Sequence, residues 1–490
     1  MKVSINQVKI NRVGINTAQV RGIRLGSASK GGQTSPFHPS LVDYWNFKGK
    51  INSDKDRNTI KGIKGEILTA YNFGWSLGSG YGLYKENYNS AKYRKLNGSR
   101  AVFTNTDNSI HITESLDSSS FIETQNTQSA NAYSIKVTGL KPGIALEYRY
   151  VLPDVEGLRT IAIVEDGVYN LPQTGNSFNG FRFTGYLGAC NITIKQIPEY
   201  EGAIVTDGID DYLKLDKVGY KIGTVIVKYV PISIHGGWNT VFDTYNDVYV
   251  DKCIMFYNNT LENWGSTMNR KIINDYSAFV SDTPKNVDVP LYLAARYEKT
   301  VRDCLSMALY EMAIYSEILT AEEIQKEINV MKYGTPNPVF ALNFDNFAYK
   351  AVDYPEFATG KVTTNKIVVD STTETFNGAI AVAMNPEADT GELIEVPSYK
   401  IKVTGLSQYS VGEGNWAVGL MGMMIDSTKD PWTYLISKDG VYDIPAISLS
   451  DGIYNLGIMA QIAIDKPIEI EVLYDKNVTK SFPENKQIFP

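Results

Sequence analysis

Three carboxylates crowd five residues of IVTDGIDDYLKL (204–215): Asp207, Asp210 and Asp211, interrupted by Gly208. Acids this close suit a hard cation such as calcium, a catalytic pair, or a tight turn between strands. A calcium-binding helix–loop–helix alternates its oxygen ligands and ends on a distal Glu. IVTDGIDDYLKLDKV lacks that spacing, so these acids are weak metal candidates and no cofactor is expected. Asp54 and Asp56 form a second D-x-D pair with the same shortfall, and Arg57 beside them is placed to neutralise it. Retaining glycosidases hold two carboxylates about 5 Å apart. On β-sandwich glucanases the strand typically reads E-x-D-x-x-E, and no strand here does so. Glu469 and Glu471 of IEIEVLYD share a strand face, but far along the chain. His38, His111 and His235 are widely separated, and neither G-x-S-x-G nor H-E-x-x-H occurs. No enzyme is expected.

Aromatic residues give the stronger lead. HGGWNTVFDTYNDVYVDKCIMFYNNTLENWG (235–265) carries Trp238, Phe242, Tyr245, Tyr249, Phe256, Tyr257 and Trp264, with Asn239, Asp243 and Asn263 between them. Sugars stack their C–H faces on rings while amides and carboxylates engage their hydroxyls. Trp238, Asn239, Asp243, Tyr245 and Trp264 are therefore candidate carbohydrate contacts. The same stretch also fits core packing with cross-strand ring pairs, and both readings stand at this point.

Strands must position these residues. YSIKVTGL, ITIKQI, TVIVKYVPI, MALYEMAIYS and IEIEVLY alternate β-branched or aromatic residues with polar ones, bounded by Gly, Asn, Asp or Pro. One segment reads as a helix. LTAEEIQKEINVMKYG offers Thr320 as N-cap with Glu323 three residues on, Ile324, Ile328 and Met331 as one apolar face, and Gly334 as the stop. Three scattered cysteines among 490 residues make neither a disulfide framework nor a zinc site. The N-terminus lacks a signal-peptide core, and no stretch approaches the roughly 18 apolar residues of a spanning helix. A net charge of −7 argues against nucleic-acid binding. Residues 1–40 run the other way: Lys2, Lys9, Arg12, Arg21, Arg24 and Lys30 precede the first acid, Asp43. This is either a solvated basic arm or an anchor on an acidic partner.

An internal repeat organises the rest. YSIKVTGL (133–140) returns as YKIKVTGL (399–406), DGVYNLP (166–172) as DGVYDIP (439–445), and NITIK (191–195) parallels PIEIE (467–471), all in the same order. A small β-sandwich present twice accounts for this. In DGVY, Gly167 and Gly440 are expected to take the left-handed turn conformation.

Residues Ala203 to Gly334 resemble a concanavalin A-like lectin/glucanase, or laminin-G-like, domain. The resemblance rests on AIVTDGIDDYLKL, LYLAARYEK and MALYEMAIYSEILTAEEIQKEI, where Glu311, Ile314, Tyr315, Leu319, Thr320, Glu323 and Ile324 match the closing pattern. LVDYWNFKGKINSDKDRNTIKGIKGEILTAYNFGWSLGSGYG (41–82), a W-x-F strand followed by a D-x-D-R-x-x-I loop and a Gly-rich turn, resembles the entry to the same domain. The resemblance implies that Asp207, Gly208, Asp210 and Asp211 form the turn opening a core strand anchored by Tyr212 and Leu213. CNITIKQIPEYEGAIVTDGIDDY further resembles virion fibre and appendage proteins of crAss-like and other Bacteroidetes phages. The implied chain is all-β and multi-domain: a basic arm (1–40), a discontinuous jelly roll (41–100 and 201–334), an inserted β-sandwich (101–200) and its second copy (335–490). The implied function is a virion head or tail fibre-type protein, made in the host cytoplasm, anchored by its arm and displaying a lectin-like domain to host surface polysaccharide. Its partners would be capsid or tail proteins and further copies of itself, as dimer or trimer, with no membrane insertion. A purely structural virion protein and a capsular polysaccharide hydrolase are the alternatives.

Overall fold

The computed structural model describes residues 35–88, 93–95, 101–115, 121–124, 130–175, 179–184, 188–234, 238–244, 253–257, 260–262, 268–273, 275–346, 349–372, 378–384, 394–409, 418–424, 432–449, 453–460 and 463–479. The basic arm with Lys2, Lys9, Arg12, Arg21 and Arg24, and also Tyr245, Trp264 and His235, lie outside the described residues. Within them the chain is all-β and multi-domain, with antiparallel sheets and a 13-residue helix, Ala321–Tyr333.

Two seven-stranded sheets enclose the first core. One contains Leu41–Asn46, Gly80–Tyr81, Ile204–Val205, Tyr220–Ser233, Met268–Ile273, Tyr276–Val287 and Ser306–Tyr315. The other contains Thr59–Lys61, Ile67–Tyr71, Tyr212–Leu215, Trp238–Asp243, Cys253–Tyr257, Thr260–Glu262 and Leu291–Leu293. Period-two alternation decides which side chains meet between them. Trp45, Phe47, Leu68, Leu213, Leu215, Phe242, Phe279, Leu293, Met312 and Ile314 are buried there together.

The helix closes the outer face of the first sheet. Thr320 accepts from the Glu323 amide, and the Glu323 side chain accepts from Thr320, completing a capping box; Gly334 ends the helix at φ 75°. Ile324, Ile328 and Met331 pack on Tyr44, Ile226, Ala278, Ala313 and Tyr315. Each such buried side chain contributes about 1.5–3 kcal/mol. This is why Ser306–Tyr315 is buried on both of its faces, unlike a strand with one side in water.

The chain leaves this sandwich after Tyr81 and returns before Ile204, and the two crossings are laced together. Gly82 N–H donates to Ala203 O (2.9 Å), Tyr200 N–H to Gly82 O (2.9 Å) and Glu199 N–H to Leu83 O (3.0 Å). Buried Gln196 accepts from the amides of Lys85 and Glu86 and donates to Glu86 O (2.8 Å). The inserted sandwich starts earlier than residue 101, the boundary expected from the sequence. Tyr88 is in its core and Tyr93–Lys95 pairs with Phe121–Thr124 in its sheet.

The repeat extends to topology. The inserted copy pairs Tyr93–Lys95, Phe121–Thr124, Asn179–Thr184, Ala145–Tyr150 and Arg159–Ile163 in that order; its second sheet runs Ala101–Asn105, Ser109–Ser115, Gly188–Ile197, Tyr133–Thr138 and Gly167–Leu171. The C-terminal copy pairs Tyr349–Lys350, Gly378–Met384, Ile453–Ala460, Val418–Met424 and Trp432–Ile436 in the one sheet. Its other sheet runs Ala358–Thr363, Lys366–Thr372, Ile468–Val472, Tyr399–Thr404 and Gly440–Ile444. With the ten strands of each copy's two five-stranded sheets counted along the chain, both show the orders 1-4-9-6-7 and 2-3-10-5-8, and the C-terminal copy adds a separate pair, Ile394–Val396 with Ile447–Leu449. Strands 3 to 10 wind as a jelly roll, and strands 1 and 2 extend one edge of each sheet.

The shared motifs lock each copy. Asp166 accepts from the amides of Gly139 (3.0 Å) and Leu140 (2.7 Å), and Asp439 from that of Leu406 (2.6 Å). The Tyr169 hydroxyl donates to Glu165 O and that of Tyr442 to Lys438 O. The left-handed residues are Gly139 (φ 92°) and Gly405 (φ 98°), not Gly167 and Gly440 as expected. The Asp carboxylate makes the DGVY corner, so its glycine enters the strand with ordinary φ, and the strain falls on the VTGL turn that it caps.

Candidate functional site

Four tyrosines form a row on the outer face of the second seven-stranded sheet. Tyr212 lies opposite Tyr71, and Tyr292 is flanked by Lys214 on one strand and Asp243 on the other. Leu68, Leu213, Leu215, Leu291 and Leu293 take the core side, so alternation sends these tyrosines outward. Tyr71 and Tyr212 stack with ring centres 4.9 Å apart, Tyr212 meets Tyr292 at 5.8 Å, and Tyr292 stacks on Tyr297 at 5.2 Å. Tyr297 comes from the hairpin Arg296–Glu298 and Thr300–Arg302, which the sheet holds through Asp243, whose carboxylate accepts from the Tyr297 amide (3.1 Å). The Lys214 ammonium lies 5.9 Å from the centre of the Tyr292 ring and 2.6 Å from Asp216.

Exposure varies along the row: Tyr71 and Tyr212 are half-buried, Tyr292 is buried, and Tyr297 is 38% exposed. Partial burial pushes the Tyr212 and Tyr292 hydroxyls up from the ordinary phenol range, so both keep their protons at neutral pH. The hydrogen bond to Asp216 holds Lys214 charged. The row therefore combines apolar ring surface, hydroxyls that donate and accept, and one ammonium–carboxylate pair. This chemistry suits a polyhydroxylated ligand.

The acidic turn borders the Tyr71–Tyr212 end. One carboxylate oxygen from each of Asp207, Asp210 and Asp211 lies within 4.8 Å of the others. Much of their capacity goes to the turn itself. Asp207 accepts from the amides of Ile209 (2.8 Å) and Asp210 (3.3 Å), Asp211 accepts from the Asp207 amide (2.9 Å), and Gly208 sits at φ 78°. The Asn72 side chain donates to Asp210 O (2.9 Å), tying the turn to the neighbouring strand. Burial, then its acidic neighbours, pushes the Asp211 carboxyl up to about 6. Calcium takes about six to eight oxygens, and with the carboxylates of Asp207 and Asp211 engaged in this way the cluster forms a turn first.

The other sequence candidates land as follows. Trp238 is half-buried at the start of its strand. Asn239 and Asp243 are 1% and 0% exposed, which corrects their placement as glycan contacts: Asp243 shares the outer face with Tyr292 but is covered by the hairpin carrying Tyr297, which it supports. Tyr212 belongs to the outer row rather than anchoring the core, a task that falls to Leu213. Arg57 donates to Asn52 O (2.8 Å) and lies over the Trp75 ring (5.5 Å) instead of bridging Asp54 and Asp56. Among the described residues the histidines do not converge: His38 contacts Glu323 and Glu327 on the helix, and His111 contacts Thr193. Glu311 of the closing pattern is buried and accepts from Tyr44 (2.5 Å), from Tyr276 and from Asn46 (3.1 Å). Sequence reasoning missed the row itself. The signal was present in YLKL and LYL, whose alternation assigns the leucines to one face and Tyr212, Lys214 and Tyr292 to the other.

No family model matches the chain, and no curated protein does. Among solved structures, a chain from "The Triple Jelly Roll Fold and Turret Assembly in an Archaeal Virus" is similar at 9% identity, covering 90% of this chain and 97% of that one with a TM-score of 0.13. The fold stands on the sheets described above, not on that overlay.

Proposed function

We propose that the chain is a virion appendage protein of the head- or tail-fibre type. Its discontinuous sandwich acts as a concanavalin A-like, laminin-G-like module that binds a host surface polysaccharide. The tyrosine row carries this reading: four rings in contact, with Lys214 and Asp216 beside them, form a partly exposed platform on the face away from the core. The laced crossings support it by tying the inserted jelly roll to the binding module through two paired segments rather than a single linker. The basic residues Lys2, Lys9, Arg12, Arg21 and Arg24 anchor the chain on capsid or tail proteins. Copies assemble as a dimer or trimer, so that weak sugar contacts add up through avidity. The protein binds and does not cleave.

Burial of Asn239 and Asp243 favours a second reading, a virion protein that uses the jelly rolls only as spacers. The full chain on an array of bacterial surface polysaccharides separates the two. Glycan binding that weakens in Tyr297→Ala supports the first reading. Absence of binding, with co-sedimentation on phage particles retained, supports the second. Release of reducing ends from bound polysaccharide would make the protein a hydrolase.

A further inference from the structure

The two jelly-roll copies act as controls for each other. On the outer face of the sheet ordered 2-3-10-5-8, the C-terminal copy sets Val441, Lys402, Glu471 and Lys366 side by side across four strands. The charges alternate, and the Lys366 ammonium lies 2.8 Å from Glu469 and 3.8 Å from Glu471. In the inserted copy the same row reads Val168, Lys136, Lys195 and Ser109. Lysine stands where Glu471 stood, serine where Lys366 stood, and Thr193 where Glu469 stood. Thr193 contacts His111 at 3.2 Å.

Lys136 and Lys195 are exposed and directly opposite each other on neighbouring strands. Cross-strand neighbours lie about 4.5–5.5 Å apart at Cβ, and like charges there destabilise a sheet. Among the described residues no acid pairs with either lysine. The same fold, in the same chain, neutralises this position in one copy and leaves it doubly positive in the other.

We infer that this face of the inserted sandwich docks an extended acidic segment of a partner protein, whose carboxylates lie over Lys136 and Lys195 and supply the counter-charge that Glu471 gives Lys402 in the C-terminal copy. Residues two apart on a strand lie about 7 Å apart, so the segment carries acids at alternate positions. Exposed Val168 at the end of the row and the surrounding Thr138, Thr193 and Ser109 fit a peptide rather than a sugar, which would call for rings.

The test uses the full chain and a fluorescent peptide of alternating Glu and Thr, read by anisotropy at low salt. A peptide of the same composition with its acids in one block serves as control, and polygalacturonate as competitor. The alternating peptide binds more tightly than the block control, and salt weakens it. Lys195→Glu recreates the Lys402–Glu471 arrangement opposite Lys136. It keeps or raises the melting temperature while weakening the peptide by about tenfold or more. Lys136→Gln with Lys195→Gln weakens binding without adding an ion pair. Undiminished binding by Lys195→Glu overturns the inference, as does a wild-type chain that binds polygalacturonate but not the peptide, or a chain that binds neither.

Discussion

Gly139→Ala tests whether the repeated turn is what locks each jelly roll. Gly139 sits at φ 92°, and a Cβ there would lie 1.9 Å from the carbonyl oxygen of Asn191. An alanine in the left-handed region costs about 1–2 kcal/mol. The overlap is with backbone, so strands Tyr133–Thr138 and Gly188–Ile197 must part, adding about 1–3 kcal/mol. The sum, about 2–5 kcal/mol, corresponds to roughly 8–40 °C for a unit of about this size. Calorimetry of the full chain, with hydrogen exchange assigning each transition, should show the inserted copy melting earlier while the C-terminal copy holds. Gly405→Ala, whose Cβ would lie 2.2 Å from Pro467 O, should do the converse. Gly167→Ala is the contrast: its nearest neighbour is the Tyr169 ring at 3.7 Å and its φ is ordinary, so it should cost under about 1 kcal/mol. If Gly139→Ala leaves every transition in place, or Gly167→Ala costs as much, the reasoning fails.

Glu311→Ala strands the buried hydroxyls of Tyr44 and Tyr276, at about 1–3 kcal/mol for each orphaned group. Urea unfolding should show a loss of about 2–6 kcal/mol, with Glu311→Gln intermediate because its amide still accepts from one tyrosine. Asp211 gives a pH signature. Its folded carboxyl is raised to about 6, so the folded state keeps a proton that the unfolded chain releases. That contribution is present below about pH 4 and is lost as pH rises through about 6. Asp211→Asn cannot ionise, so thermal melts should show it gaining at most about 3 kcal/mol over wild type at pH 8 and little at pH 4. Equal gains at both pH values would refute the assignment.

Much of the architecture is legible in the residues. YLKL, LYL and SMALYEMAIY give strands by alternation, Thr320 with Glu323 gives the helix start, and two motif blocks in order give the repeat. What escapes local reading is decided by partners distant in sequence. The turn strain moves from Gly167 to Gly139 because the Asp166 carboxylate reaches back 27 and 26 positions to two amides. The tyrosine row joins residues 71, 212, 292 and 297 through strand pairing, so no single window contains it. The stretch 235–265 drew notice by its density of rings, yet packing buries Asn239 and Asp243, the latter beneath a hairpin 54 residues away in sequence. The contrast between Lys195 and Glu471 becomes meaningful only once the two copies share a register.

The most direct measurement is calorimetric titration of the best array glycan into the full chain and into Tyr297→Ala, Tyr212→Ala and Trp238→Ala. A ring in contact with sugar contributes about 0.5–1.5 kcal/mol. Tyr297→Ala and Tyr212→Ala should therefore weaken binding by roughly 2- to 12-fold with little change in melting temperature, while Trp238→Ala leaves affinity intact. Equal affinity across wild type and both tyrosine variants would contradict the account.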